Sequence, residues 1–181
     1  MRELFLLTIS GNDHPGVTAE FTGTLALHGV SVLDIGQAVI HDSLSLGMLV
    51  EVPDHAETSV IIKEILFRTH ELGLRVKFEP ISEQRYQQWV EAQGKPRHII
   101  SLLARKITAE HLSRLTTVIA ESGLNIDKIT RLSGRIPLDH APENAKACAE
   151  FSARGDIEDM AAVRVAVNMK VTDFDAPLDG A

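Results

Sequence analysis

The sequence predicts an α+β protein: two successive βαββαβ units, each an antiparallel sheet with two helices on one face. Two observations predict it. Over residues 4–78, short apolar runs alternate with stretches of helical periodicity in the order strand, helix, strand, strand, helix, strand. The pattern then restarts 94 residues later, with apolar positions and a glycine stop in register.

The first unit, placed at residues 1–82, opens with the apolar run Leu4–Ile9, a strand. Gly11-Asn12-Asp13-His14-Pro15-Gly16 is a dense cluster of turn formers and ends it. Val17, Phe21, Thr24, Leu25 and His28 follow at helical spacing; Pro15 is tolerated in a first helical turn, and Gly29 stops the helix. Val30, Val32, Ile35, Ala38 and Ile40 lie in a β-rich run, and Asp42-Ser43 makes a tight turn. Leu44, Leu46, Met48, Val50 and Val52 alternate with other residues, as in a half-buried strand. Pro53-Asp54 breaks it. Val60, Ile61, Glu64, Ile65, Arg68 and Leu72 trace a second helix up to Gly73, and Leu74, Val76 and Phe78 form a closing strand.

Residues 83–96 are polar, carry Tyr86 and Trp89, and end at Gly94 and Pro96; they read as a linker compatible with a helix. The second unit is placed at 97–181. At the offset of 94, His98–Leu103 overlies Leu4–Ile9, Phe21 meets Leu115, Leu25 meets Ile119, Gly29 meets Gly123, Val32 meets Ile126 and Ile35 meets Ile129. Its hairpin is expected to be longer, because residues 135–146 hold Pro137, Pro142 and several polar residues. Ala147, Ala149 and Phe151 mark the third strand, and residues 157–167 a helix. Residues 171–181, with Pro177 and several Asp and Gly breakers, make a poor closing strand.

The formal net charge of -7, without a Lys/Arg cluster, argues against nucleic acid and against an anionic membrane as partners. Cys148 is the single cysteine, which excludes an intrachain disulfide and a zinc site built on several thiolates. No apolar run approaches the roughly 20 residues that span a bilayer. Met1-Arg2-Glu3-Leu4 leads into a strand, not into the apolar core of a signal peptide. The expectation is a cytoplasmic protein.

The loop Gly11–Gly16 is the best candidate for a site. A Gly/Asn/Asp turn feeding a helix N-terminus offers backbone N–H groups at the positive end of the dipole, a place for a carboxylate. Asn12 adds amide donors and an acceptor, and Asp13 suits an ammonium group; together they fit an α-amino acid. The alternative is a plain strand-to-helix turn with Asn12 or Asp13 as the helix cap. His14 beside Asp13 and His41 beside Asp42 lack the spacing of a metal motif, so no metal site and no cofactor are expected. There is no G-x-S-x-G elbow, Walker loop or G-x-G-x-x-G. Asp173-Phe174-Asp175 has the two-Asp spacing of aspartate-nucleophile phosphatases. Ala176-Pro177 stands where hydroxyl residues belong, however, and only a few residues follow, so no catalytic residue is assigned.

These residues resemble a family. Leu7-Thr8-Ile9-Ser10-Gly11-Asn12-Asp13-His14-Pro15-Gly16-Val17 and His28-Gly29-Val30 look like an ACT domain. With Gln37-Ala38-Val39-Ile40 and Leu46-Gly47-Met48-Leu49-Val50, they resemble the N-terminal regulatory region of bacterial phosphoserine phosphatases. Ile107-Thr108-Ala109, the segment Gly123–Ile129 and Arg131-Leu132-Ser133-Gly134 agree in the second half. The resemblance implies two tandem ferredoxin-like ACT domains that bind an amino acid, L-serine being the natural choice as the product of phosphoserine hydrolysis. It implies ligand contacts from Asn12, Asp13, His14, Pro15, Gly16 and Val17, with Ser31, Val32 and Leu33 or Asn125, Ile126 and Asp127 facing them. It also implies a homodimer, and a magnesium-dependent catalytic domain lying C-terminal to the pair and not contained in these residues. The second copy has Arg105-Lys106-Ile107-Thr108 where the first has its Gly-Pro loop, which puts two equivalent sites in doubt. A stand-alone tandem ACT protein acting on a partner, similar to the glycine cleavage system repressor, is the alternative.

Overall fold

The computed structural model describes residues 3–134 and 146–157. The chain divides into two compact units, Met1–Val90 and Glu91–Ala181. The first contains β1 (Glu3–Asn12), α1 (Val17–Leu27), β2 (Ser31–Ile40), β3 (Ser43–Val52), α2 (Thr58–Glu71) and β4 (Arg75–Ile81). Its sheet has the order β2-β3-β1-β4, with every neighbouring pair antiparallel. Side chains alternate across a strand, so Leu7 and Ile9 of β1 share a face with Leu44, Leu46, Met48 and Val50 of β3. Val17, Phe21 and Leu25 of α1 and Ile61 and Ile65 of α2 close over that face. Each such side chain, fully buried, contributes about 1.5–3 kcal/mol.

The tight turn falls one residue earlier than the sequence suggests: β2 ends at Ile40 and β3 starts at Ser43, so His41 and Asp42 make the connection. His41 takes a φ of 59°, a left-handed conformation that histidine tolerates better than most side chains. Its Nδ1 lies 2.7 Å from Asp42 Oδ1.

Where a linker was expected, residues Glu83–Gln93 form a helix, α3. Leu4 and Leu6 point away from α1 and α2, on the same face as Leu49 and Ile81. Tyr86 and Trp89 approach this second face, their ring centroids 5.9 Å apart. The unbroken apolar run Leu4–Leu7 thus serves two faces of one strand.

The second unit contains β5 (Arg97–Ala104), α4 (Ala109–Glu121), β6 (Asn125–Arg131) and β7 (Ala147–Arg154). The sheet order β5-β7-β6 repeats β1-β3-β2. Leu102, Leu115, Ile119, Leu124, Ala149, Phe151 and Ala153 form its core. Residues 135–145 of the expected long hairpin at 135–146, all but the first residue of the expected helix at 157–167, and the expected poor closing strand at 171–181 lie outside the described residues.

The repeat is real in helix and second strand, and one residue out in the first strand. The second strand carries a register shift between Val32 and Asp34 in one unit and between Ile126 and Lys128 in the other, 94 residues apart. Across the sheets, Gln37 and Ile9 both pair with Leu46, as Arg131 and Leu102 both pair with Ala149. Gln37 and Arg131 are 94 apart; Ile9 and Leu102 are 93 apart. Phe21 follows Ile9 by 12 residues and Leu115 follows Leu102 by 13, so one more residue separates the paired first-strand position from the helix core in the second unit. An offset of 94 would match buried Ile9 to Leu103, which is 61% exposed; a slip of one residue turns every strand side chain to the wrong face.

Candidate functional site

Asn12 is the last residue of β1 and pairs with Ser43. The Asp13 N–H donates to Asp42 O at 2.8 Å, which ties the loop to the β2–β3 turn. Gly16 stands at the head of α1 with a φ of 95°, and no side chain caps the helix; neither Asn12 nor Asp13 takes that role. The Glu20 N–H donates to Gly16 O at 2.9 Å, and Thr18 Oγ1 donates to Gln37 Oε1 at 2.6 Å. Asn12, Asp13, Pro15 and Gly16 are exposed, His14 is half-buried with Nδ1 3.4 Å from Pro15 O, and Val17 belongs to the core. The loop therefore presents an uncapped helix N-terminus beside one carboxylate and one amide.

Ser31, Val32 and Leu33 lie elsewhere. Ser31 pairs with Glu51 and Asn12 pairs with Ser43, eight residues apart along β3. At about 3.4 Å per residue, that is about 27 Å. One unit does not bring its own loop and its own second-strand start together. Asn125, Ile126 and Asp127 begin β6. Ile126 packs on the second core. Asp127 Oδ2 accepts from Arg154 Nε at 2.7 Å, and its Oδ1 lies 3.4 Å from Asn125 Nδ2. Arg154 Nη1 in turn donates to Gln93 O at 2.5 Å. Asp127 is thereby held in an ion pair of its own unit.

Sequence reasoning missed a second feature. Two clefts flank α3 on the sheet face that α1 and α2 leave open. One, of about 210 Å³, is floored by Leu6, Leu49 and Ile81 and bordered by Asp34, Arg85, Tyr86 and Trp89. The other, of about 300 Å³, includes Leu4, Leu33, Glu51, Glu83 and Tyr86. The signals for it were the unbroken apolar run in β1 and an aromatic pair three residues apart on a helix. At its edge, a hydrogen bond from Arg85, then one from Lys77, hold the Glu79 carboxyl below its usual 4.5. Among the described residues no group of three or more His, Cys, Asp or Glu side chains is gathered as a metal ion needs. Among them, too, no helix is long and apolar enough to cross a membrane.

A four-stranded βαββαβ unit of this strand order, repeated in part by a second unit, places the chain among tandem α+β domains of the ACT type. Residues 3–79 match the ACT domain family model, so the first unit is an ACT domain. Over 129 residues it is 36% identical to the phosphoserine phosphatase SerB2 of Mycobacterium tuberculosis and 32% identical to a phosphoserine phosphatase of Streptomyces coelicolor. Each match covers 71% of this chain and 30% of the relative, so the chain spans under a third of those enzymes. A UPF0237 protein of Methanopyrus kandleri is 34% identical over 73 residues, 39% of this chain and 80% of that protein. Among solved structures, a protein of unknown function from Galdieria sulphuraria has a TM-score of 0.73 at 15% identity, covering 96% of this chain and 94% of that one. A candidate glycine cleavage system transcriptional repressor has a TM-score of 0.65 at 13% identity, covering 97% and 94%. These two likenesses concern the fold.

Proposed function

We propose that this chain is the amino-acid-sensing regulatory region of a phosphoserine phosphatase, that L-serine is its ligand, and that it works as a cytoplasmic homodimer. The observation that carries the reading is the match to two phosphoserine phosphatases over 129 residues, which fall within a part of each enzyme far smaller than the whole. The chemistry of the loop agrees. N–H groups at the head of α1 suit a carboxylate, with the helix dipole adding to the attraction. Asp13 suits the ammonium, and Asn12 suits the hydroxyl. Because the start of β2 lies about 27 Å from the loop of its own unit, a second unit, supplied by a partner chain, completes the pocket. β2 is a ten-residue edge strand with Val32, Ile35 and Ile40 exposed, the kind of edge that pairs with another strand.

Calorimetric titration of the folded chain with L-serine, glycine and phosphoserine tests this. Saturable heat with L-serine, lost in Asp13→Asn, supports it; no heat from any of the three refutes ligand sensing. Phosphoserine hydrolysis, with its magnesium, is assigned to the remainder of the parent enzyme, so this chain incubated with magnesium and phosphoserine is expected to release no phosphate. One observation favours a second reading, a stand-alone regulator of a partner protein: the fold likeness to the candidate glycine cleavage repressor runs over 97% of the chain. A reading frame that continues past Ala181 into an aspartate-nucleophile motif decides for the first reading.

A further inference from the structure

We propose that the cleft between α3 and the open sheet face of the first unit is a separate binding site for a free amino acid with a medium-sized aliphatic side chain, of the size of leucine. The inference is independent of the serine reading: it concerns another face, another set of residues and another ligand. Leu6, Leu49 and Ile81 give the cleft an apolar floor, and Trp89 and Tyr86 give it an aromatic wall. An apolar floor with few polar groups at its margin is the usual composition of a small-ligand site. The volume of about 210 Å³ lies below the usual range for drug-sized ligands, which suits a single amino acid.

Two charges at the margin set the ligand class. Asp34 borders the cleft from the bulge in β2, and its carboxylate makes no hydrogen bond or ion pair with another side chain among the described residues. It is the group for an ammonium, with the ring faces of Trp89 and Tyr86 adding cation–π attraction. Arg85 borders the cleft from α3. Its Nη1 donates to Glu79 Oε1 at 3.0 Å; a guanidinium has five N–H donors, so others are left for a carboxylate. A negative group, a positive group and an apolar floor, all lining one cleft, are the three kinds of partner an aliphatic α-amino acid needs. Serine, without an apolar side chain, leaves the floor uncovered.

Trp89 is the only tryptophan in the chain and lines this cleft, so its emission is a direct probe of occupancy. The full chain is titrated with L-leucine, followed by Trp89 emission and by calorimetry. The expected result is a saturable 1:1 response with half-saturation at about 1 mM or below. 4-Methylpentanoate, which lacks the ammonium, and L-serine are expected to act at least about tenfold more weakly on Trp89, and Asp34→Asn to weaken L-leucine by about tenfold or more, a difference easily resolved. No saturable response to L-leucine in either readout overturns the proposal. So does an undiminished response in a folded Asp34→Asn chain, or an equal response to 4-methylpentanoate. If the variant does not fold, the ligand series on the unaltered chain decides. The serine reading is scored by its own heat and by Asp13→Asn, so either proposal can fail alone.

Discussion

Replacing Gly11 by alanine is expected to destabilise the first unit by about 2–6 kcal/mol, the sum of two effects. Gly11 has a φ of +152°, which L side chains rarely adopt; such backbone strain costs about 1–3 kcal/mol. A Cβ there would stand 2.6 Å from Leu74 Cδ2 and 3.3 Å from Leu74 Cα. Leu74 is only 7% exposed and packs in the first core, so it cannot swing into solvent. Displacing a packed side chain costs a further 1–3 kcal/mol or about that. Gly16→Ala is the control. Its φ of +95° strains an alanine, but nothing lies within 4 Å of the new Cβ, so only the left-handed backbone cost of about 1–2 kcal/mol applies. The assay is urea unfolding followed by Trp89, which lies in α3 and belongs to the first unit. With a slope of about 2 kcal/mol/M, the Gly11→Ala midpoint should fall by roughly 1–3 M. A Gly11→Ala midpoint no lower than that of Gly16→Ala would refute the reasoning, because the Leu74 contact would then cost nothing.

Other outcomes follow from the same structure. Phe21 is fully buried between α1 and the sheet; Phe21→Ala is expected to cost about 3–5 kcal/mol in the same urea experiment. Thr108 Oγ1 accepts from the His111 N–H at 3.2 Å, and His111 Nδ1 accepts from the Thr108 N–H at 3.2 Å, a reciprocal cap on α4. Thr108→Ala removes one half of it, and thermal unfolding by circular dichroism should show a loss of about 0.5–2 kcal/mol. Arg85 first, and then Lys77, hold the Glu79 carboxyl low in the folded chain. Its stabilising contribution is therefore present above the ordinary glutamate value and fades as pH falls through the lowered one. Glu79→Gln should flatten the part of the stability profile below that ordinary value, measured by unfolding at a series of acid pH values.

Much of the fold could be read from the residues, and the failures have physical causes. The alternation Leu44, Leu46, Met48, Val50, Val52 fixes which face of β3 is buried, and the structure buries all five. The run Leu4-Phe5-Leu6-Leu7 carries no such parity. Consecutive apolar residues fit either face, so the offset between the first strands of the two units was decided by sheet pairing, which local sequence does not contain. The turn was displaced for a similar reason: positive φ is ordinarily expected of Gly or Asn, and here it falls on His41. α3 was legible as a polar stretch compatible with a helix and carrying two aromatic rings. Its role as a cover for a second sheet face depends on Leu49 and Ile81, distant in sequence and adjacent across the sheet.

The candidate site shows the same division, and it leads to a stoichiometry. The Gly-Pro loop was legible because turn chemistry is local. What faces it was not, since the residues at 31–33 and 125–127 owe their surroundings to the sheets. Leu33 and Asp127 occupy the same bulge of their units, 94 residues apart. Leu33 borders a cleft, whereas Asp127 is engaged by Arg154 at 2.7 Å. The helix heads differ too. α1 starts at an uncapped glycine, whereas at α4 the Thr108–His111 box already occupies the N–H groups of Thr108 and His111 and leaves fewer for a carboxylate. Among the described residues, only the first unit therefore offers an open N-terminus beside a carboxylate and an amide. On the serine reading, calorimetry should give one L-serine per chain, and Thr108→Ala should leave that number at one. Two equivalent serines per chain in the unaltered protein would show that the self-capped helix head binds as well as the open one, and the argument from the caps would fail.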